Sequence, residues 1–396
     1  MQTLNGSVQR YPWGTTDAIF KLLGQASDGE PLAEYWLGAH VCAPASTPEG
    51  NLDVLIEQHP QWLGTASRET FGSQLPFLLK ILSAAQPLSL QVHPDREQAR
   101  SGFARENAAG IPIDAPERIY CDDWPKPEIL IALDTFETLC GFRDPKKTAA
   151  LISGLGIADE LSSIIRPLVE RKGDAGLAQV FLDILSLEGE RNHIVDVCAA
   201  AAMNHAKDEG SVGDLARTII ELDDVFGKDR GILAAILLNK VTLAPGEAVY
   251  VAPGQMHSHL RGTGIEVMAS SDNVIRGGLT RKHIDAQELI NVADFTSTKT
   301  KMLRPAQKRS GVSHYKTPNP EFDVWKVQVS PERGEIRLPG KRSARIILAI
   351  SGDLRIASQG AELNLVKGQA AFLYADEVDA NVSGSGVLFV TASGVR

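Results

Sequence analysis

The hydrophobic period of this chain changes twice, and those two changes restrict the folds open to it more than its composition does. Up to about residue 142, short apolar runs alternate with turn residues, as in LPFLLKIL (75–82), PLSLQVHP (87–94) and PEILIAL (127–133). Apolar runs of that length, bounded by turn signals, read as strands. At Arg143-Asp144-Pro145-Lys146 the period shifts. Asp144 can cap a helix, and Pro145 suits its first turn because that position has no N–H partner to lose. Beyond it Leu161, Ile164, Ile165 and Leu168 fall at i, i+3, i+4 and i+7; Leu177, Val180, Phe181 and Ile184 repeat the spacing, and Leu215, Ile219 and Leu222 continue it. A segment of about 80 residues is therefore predicted to be mostly α-helical.

After Leu238-Asn239 the strand signal returns, with KVTLAPGEAVYVAPG reading as a hairpin around Pro245-Gly246. The last stretch alternates strand and turn in GEIRLPG, ARIILAISGDLRI, AELNLVKGQAAFLYA and GVLFVTA, a spacing that suits an all-β sandwich or barrel. The expected order is a β unit over 1–142, a helical insertion over 143–225, the resumed β unit over 226–305 and a second β domain over 306–396. The chain is thus mainly β with an α insertion. Its 396 residues allow this, being two to three typical domains of about 150 residues.

Charge and motif content remove several function classes. Lys plus Arg is 40 against 49 for Asp plus Glu, a net charge of −9, which opposes bulk attraction to nucleic acid or to an anionic membrane surface. A local excess of 11 Lys/Arg over 4 Asp/Glu in residues 301–345 reads as a solvated surface. No GxGxxG, GxxxxGK[ST] or GxSxG motif is present, so the usual warrants for a dinucleotide enzyme, a P-loop NTPase or an α/β-hydrolase are missing. Cys42, Cys121, Cys140 and Cys198 form no CxxC pair and read as small apolar fillers in a reducing compartment. With no leader-like N-terminus and no long apolar run, a soluble, cytoplasmic protein is expected.

The chemistry points to a metal. In Gln91-Val92-His93, residues i and i+2 of a strand face the same way, so an amide oxygen and an imidazole can converge on one ion. The pair is weak evidence by itself. Lys126-Pro127-Glu128 precedes an apolar strand and His257-Ser258-His259 follows another; Glu128 supplies an anionic oxygen and His257 a second imidazole. A divalent ion against a single carboxylate leaves a net positive site, suited to sugar oxygens and to charge developing on an enediolate. His259 is the rival ligand. In the stretch 264–280, Glu266, Asp272, Asn273 and Arg276 interleave with apolar residues, and such polar groups need partners if they face inward. Function and a buried structural network are both open there.

Several blocks carry a more specific signal: Tyr11-Pro12-Trp13-Gly14, AEYWLGAH (33–40), LPFLLKILSAAQPLSLQVHPD (75–95), FARENAAGIP (103–112), Lys126-Pro127-Glu128 and GIEVMASSDNVIRGGLT (264–280). With these, the chain closely resembles type I phosphomannose isomerases, a family of cupin-fold metalloenzymes. The resemblance implies a catalytic jelly roll interrupted by a helical domain, and a second jelly roll at the C-terminus with no histidine after His314 and hence no metal. It implies one Zn²⁺ per chain held by Gln91, His93, Glu128 and His257; Arg276, Lys126 and Asp272 as catalytic residues; and Lys80, Ser89 and Glu266 in the substrate pocket. The implied reaction interconverts mannose 6-phosphate and fructose 6-phosphate through an enediol(ate), in a monomer with neither nucleic acid nor membrane as partner. Arginine is a poor base, so Arg276 is read as a charge stabiliser or phosphate contact and the proton shuttle is given to Lys126 or Asp272; Lys80 is a further phosphate candidate. Three positions depart from the family pattern: Pro125 replaces a histidine, Arg281 a proline, and His259 an aromatic residue. A non-catalytic sugar-phosphate sensor, or a cupin metal enzyme acting on another substrate, are the rival readings.

Overall fold

The computed structural model describes residues 1–171, 174–187, 192–305 and 310–395. Its organising element is the strand His257–Ala269. From Gly262 to Ala269 this strand lies between Phe77–Ala84 and Glu128–Ala132, with Glu266 opposite Lys80 and Met268 opposite Glu128. Its first residues pair instead with Phe136–Phe142 and with Gln91, so that His257 faces both Cys140 and Gln91. The change of partner falls at Gly262, whose φ of +120° only glycine adopts freely and where a Cβ would stand 2.8 Å from the Cα of Phe136. One bent strand thereby carries His257, His259 and Glu266 across the junction of an eleven-stranded antiparallel sheet.

The helical segment is spliced into this sheet at low topological cost. The strands that flank it, Phe136–Phe142 and Leu238–Leu243, are direct neighbours, with Val241 opposite Thr138, so the insertion occupies the place of a hairpin loop. It starts where the sequence predicts: Asp144 accepts from the backbone N–H groups of Lys146 and Lys147, and Pro145 opens the helix Pro145–Gly154, a cap worth about 1 kcal/mol. The helices Ser162–Glu170, Asp174–Leu185, His193–His205 and Gly210–Phe226 follow. Leu161, Ile164, Leu168, Leu177, Phe181, Ile219 and Leu222 are buried in one core with Leu90, Val92 and Leu139 of the sheet, each fully buried side chain contributing roughly 1.5–3 kcal/mol. The insertion is thus welded to the strands that carry the candidate ligands.

A second, eight-stranded antiparallel sheet is built from the strands between Val312 and Ala392, with one strand from the N-terminus. It packs on the first through a continuous apolar layer in which Phe77, Ile129 and Ile265 meet Phe322, Ile346 and Phe389. Among the described residues no helix is long and apolar enough to cross a membrane.

The pairings depart from the sequence reading in several places. The strands on either side of Pro245-Gly246 do not form a hairpin: Leu238–Leu243 pairs with Phe136–Phe142, whereas Ala248–Val251 pairs with Glu128–Ala132. A Pro-Gly turn sets a change of chain direction, not which strands become neighbours. Gln2–Leu4, expected in the first β unit, adds to the second sheet beside Ala370–Phe372. A sixth helix, Gly231–Ile236, lies in the stretch assigned to the resumed strands. The junction expected between 305 and 306 touches residues 306–309, which lie outside the described residues. Of the four cysteines, all free, Cys140 and Cys198 are buried as expected but Cys42 is exposed.

Candidate metal centre and active site

Three ligand-type side chains converge at one end of the catalytic sheet. Glu128 and His257 open their strands, and His93 follows the last residue of Leu90–Val92. His93 Nε2 lies 3.3 Å from Glu128 Oε1, and His257 Nε2 lies 3.3 Å from Glu128 Oε2. All three residues are buried, and their ligand atoms lie within 4.8 Å of one another. The far side of each ring is fixed: the Nδ1 of His93 is 2.9 Å from the carbonyl oxygen of Asn273 and that of His257 is 3.1 Å from the carbonyl oxygen of Gln255. Carbonyls only accept, so each Nδ1 carries a proton and each Nε2 is the ring atom turned to Glu128.

The two Nε2 atoms are buried and have no hydrogen-bond partner. Buried polar atoms of this kind are costly unless something else meets them, and two imidazoles facing a carboxylate suit a divalent cation. The electrostatics agree. Burial, with Lys126 nearby, pushes His93 down to about 4, so it is neutral at physiological pH. Burial alone would protonate Glu128, yet the charge beside it, with Lys126 Nζ 3.2 Å from Oε1, holds its pKa well below the usual range. Gln91 stands directly opposite His257 in the antiparallel pair, a position whose Cβ atoms are about 5 Å apart, so it can supply a fourth donor.

Beside these residues lies a second buried polar group. Lys80 Nζ sits 3.3 Å from Glu266 and 3.6 Å from Glu34, and 4.8 Å from the centre of the Trp36 ring. Burial disfavours its charge, but the two carboxylates more than offset this and raise its pKa, and Lys80 in turn keeps Glu266 ionised against its own burial. Lys80 is therefore a fixed cation. His259 belongs to this group: its Nε2 is 3.4 Å from Glu266 and its Nδ1 is 3.1 Å from Thr138 Oγ1.

Next to this group, where the Trp36 and His40 rings meet edge to face, Asp272 Oδ1 is 3.3 Å from His40 Nε2, whose Nδ1 accepts from the Cys42 N–H. Burial works against the Asp272 carboxylate, but His40 and the nearby Lys126 and Lys80 outweigh it and lower its pKa. Its side chain remains 41% exposed, so it is the ionised oxygen a substrate can reach.

A model of the type I phosphomannose isomerase catalytic domain matches residues 1–145. The mannose-6-phosphate isomerase of Salmonella typhimurium is 35% identical over 396 residues, covering 98% of each chain. That of Escherichia coli K12 is 35% identical with the same coverage. A solved structure of a mannose 6-phosphate isomerase bound with zinc and yttrium superposes with a TM-score of 0.90 at 34% identity over 99% of each chain. This chain belongs to the type I phosphomannose isomerase family. Its fold is accordingly the mainly β, cupin-type architecture with a helical insertion that the sequence predicts.

The remaining family-motif residues lie along the same wall. Arg276 is opposite Gln91, and Gly278 is opposite Leu90, the neighbour of Ser89. Burial lowers the pKa of Arg276, and no carboxylate is within ion-pair distance of it among the described residues. The exposed Lys282 lies close enough for the guanidinium to lower its pKa in turn.

Several contributors escaped the sequence reading. Asn273 is fully buried; its amide donates to the carbonyls of Asp122 and Trp124 and accepts from the Cys121 N–H. Of the two readings open for 264–280, Asn273 thus falls to a buried network, one that also aims His93. Glu34, Trp36 and His40 lie in the AEYWLGAH block (33–40), whose pattern does not by itself assign them a role. The i, i+2 spacing of Glu34 and Trp36, which share a 2.6 Å hydrogen bond, was the available signal. Asp229 accepts from the N–H groups of Gly231, Leu279 and Thr280, tying the Arg276 strand to the helical insertion. Pro125 is buried and Arg281 exposed.

Proposed function

We propose that this protein interconverts mannose 6-phosphate and fructose 6-phosphate by moving a proton between C2 and C1 through an enediol(ate), with a single zinc ion held by Gln91, His93, Glu128 and His257. The observation that carries the reading is the pair of buried, orphaned Nε2 atoms on His93 and His257 facing the ionised Glu128, in a chain of this family. The ion would act as a Lewis acid that offsets charge on the sugar oxygens.

The protein's own groups divide the rest of the work. Asp272 is ionised, partly exposed and backed by His40, which suits it to take the proton from one carbon and return it to the other. Lys126, paired with Glu128, is a cation that donates a hydrogen bond to the oxygen on which charge develops. Lys80 is already shared between Glu34 and Glu266, so its free N–H fits a sugar hydroxyl better than a dianionic phosphate. The phosphate falls to Arg276, which has no acidic partner and can bind it in two-pronged fashion, with Lys282 and the Ser89 hydroxyl beside it.

A coupled assay that follows fructose 6-phosphate formation from mannose 6-phosphate tests the reading. Metal-replete protein that binds the sugar phosphate without turning it over would establish the sensor alternative instead. Near-normal turnover and KM in Arg276→Ala would remove the phosphate assignment.

A further inference from the structure

A cavity of about 380 Å³ lies between the helical insertion and the outer face of the catalytic sheet, away from the metal ligands. Its walls are apolar: Leu139 from the strand Phe136–Phe142, Leu151 from the first inserted helix, Leu215 and Ile219 from the long helix, and Ile232 and Ile236 from the last. Volumes of several hundred Å³ with mostly apolar walls and a few polar groups are characteristic of small-molecule sites.

Its charged groups are not balanced. Asp214 is engaged by Arg217 at 3.3 Å, and Lys240 by Glu137 at 3.4 Å. Arg143 and Lys147 also line the cavity, and among the described residues neither has a carboxylate within ion-pair distance. The half-buried Arg143 gives one N–H to the carbonyl of Ile236, at 3.0 Å, which leaves most of its donors free. Burial pushes its pKa down to about 10, so it is still charged at neutral pH. An apolar chamber with an uncompensated guanidinium and ammonium at its rim is complementary to a molecule with an apolar body and an anionic head.

We propose that this cavity binds a medium-chain monocarboxylate, its alkyl body among Leu139, Leu151, Leu215, Ile219 and Ile232 and its carboxylate on Arg143 and Lys147. The site is separate from the sugar-phosphate site but not isolated from it. Leu139 pairs with Ser258, between His257 and His259, and its neighbour Cys140 pairs with His257. An occupant would thus press on the outer face of the strand pair whose inner face carries the candidate ligands.

Calorimetric titration of the zinc-loaded, full-length protein with decanoate tests this, with decanol as the uncharged analogue. Expected is a single saturable heat for decanoate that persists in saturating mannose 6-phosphate. Arg143→Met should weaken it about tenfold or more, the size of a lost charge-assisted contact, and bring decanoate and decanol to similar affinities. Ala150→Phe, at an exposed position on the rim, should block entry without disturbing the core. Leu215→Trp should fill the chamber and abolish binding. Absence of saturable decanoate binding, displacement by the sugar phosphate, or equal binding in Arg143→Met and Ala150→Phe would each overturn the proposal.

Discussion

The imidazole of His93 is held by the main chain of Asn273, at 2.9 Å from Nδ1 to the carbonyl oxygen, and that carbonyl is held in turn by the Asn273 side chain in the Cys121–Trp124 segment. Asn273 Nδ2 is 2.8 Å from the carbonyl of Trp124 and 2.9 Å from that of Asp122, while Oδ1 is 2.8 Å from the Cys121 N–H. These contacts lie behind the ring, at Nδ1, while Nε2 faces Glu128. They set the ring's tautomer and its aim, which is the usual task of groups behind a metal ligand.

Removing that support should therefore show first in metal retention. Asn273→Ala is expected to weaken zinc binding by about 10- to 100-fold and to lower activity mainly at limiting zinc, with recovery as zinc is raised. Competition against a chelator of known affinity measures it. Unchanged zinc affinity in a folded Asn273→Ala protein would show that the ring needs no such backing.

The candidate ligands sit on strands whose packing does not depend on an ion, because Glu128 and His257 are flanked by fully paired sheet. Chelation should consequently abolish turnover while leaving the far-UV circular dichroism spectrum intact, and added zinc should restore activity. His257→Ala should lose both the metal and the restoration. Elemental analysis beside the rate assay decides, and full activity in protein stripped far below stoichiometric metal would rule out the site.

His40 lowers the pKa of Asp272 against the effect of burial. A carboxylate whose folded pKa is depressed contributes stability at pH values above its unfolded pKa and loses it as pH falls through the lower folded value. The same sign governs catalysis: the ionised base is lost on the acid side. His40→Ala removes the hydrogen bond, so the Asp272 pKa should rise and the acid limb of the kcat/KM profile should move to higher pH. Asp272→Asn should lower kcat throughout. An acid limb that stays in place in His40→Ala would separate Asp272 from the titration.

How much of this was legible follows from the range of each interaction. The helical insertion was readable because Leu161, Ile164, Ile165 and Leu168 state a local period, and its start because Asp144 and Pro145 state a cap within three residues. Glu128, His93 and His257 were nominated on residue chemistry and matched motifs, and the fold brings them together from distant segments. By contrast, the separation of the strands flanking Pro245-Gly246 and the transfer of Gln2–Leu4 to the far sheet depend on which distant edges meet, and no local pattern encodes this. Asn273 is visible as a polar residue among apolar ones, but its value lies in side-chain bonds to Cys121, Asp122 and Trp124, distant in sequence, that aim its own carbonyl at His93.

The last dependence of this kind concerns Asp229, in the connection between the last two inserted helices. Its carboxylate accepts from Gly231 at 2.6 Å and from Leu279 and Thr280 at 3.1 Å each, and Leu279 is held at φ +54°, a left-handed conformation that costs a non-glycine residue on the order of 1 kcal/mol or more. The turn lies between Arg276 and Lys282, the two cations assigned to the phosphate. Asp229→Ala should release the strained turn and uncouple those cations. KM for mannose 6-phosphate should rise by about tenfold, the size of a lost charge-assisted contact, with a smaller change in kcat, because the residues around Glu128 are not attached to this turn. Leu279→Gly in the same background should relieve the strain without restoring the anchor, leaving KM high. A KM unaffected by Asp229→Ala would mean that Arg276 is positioned by its pairing with Gln91 alone.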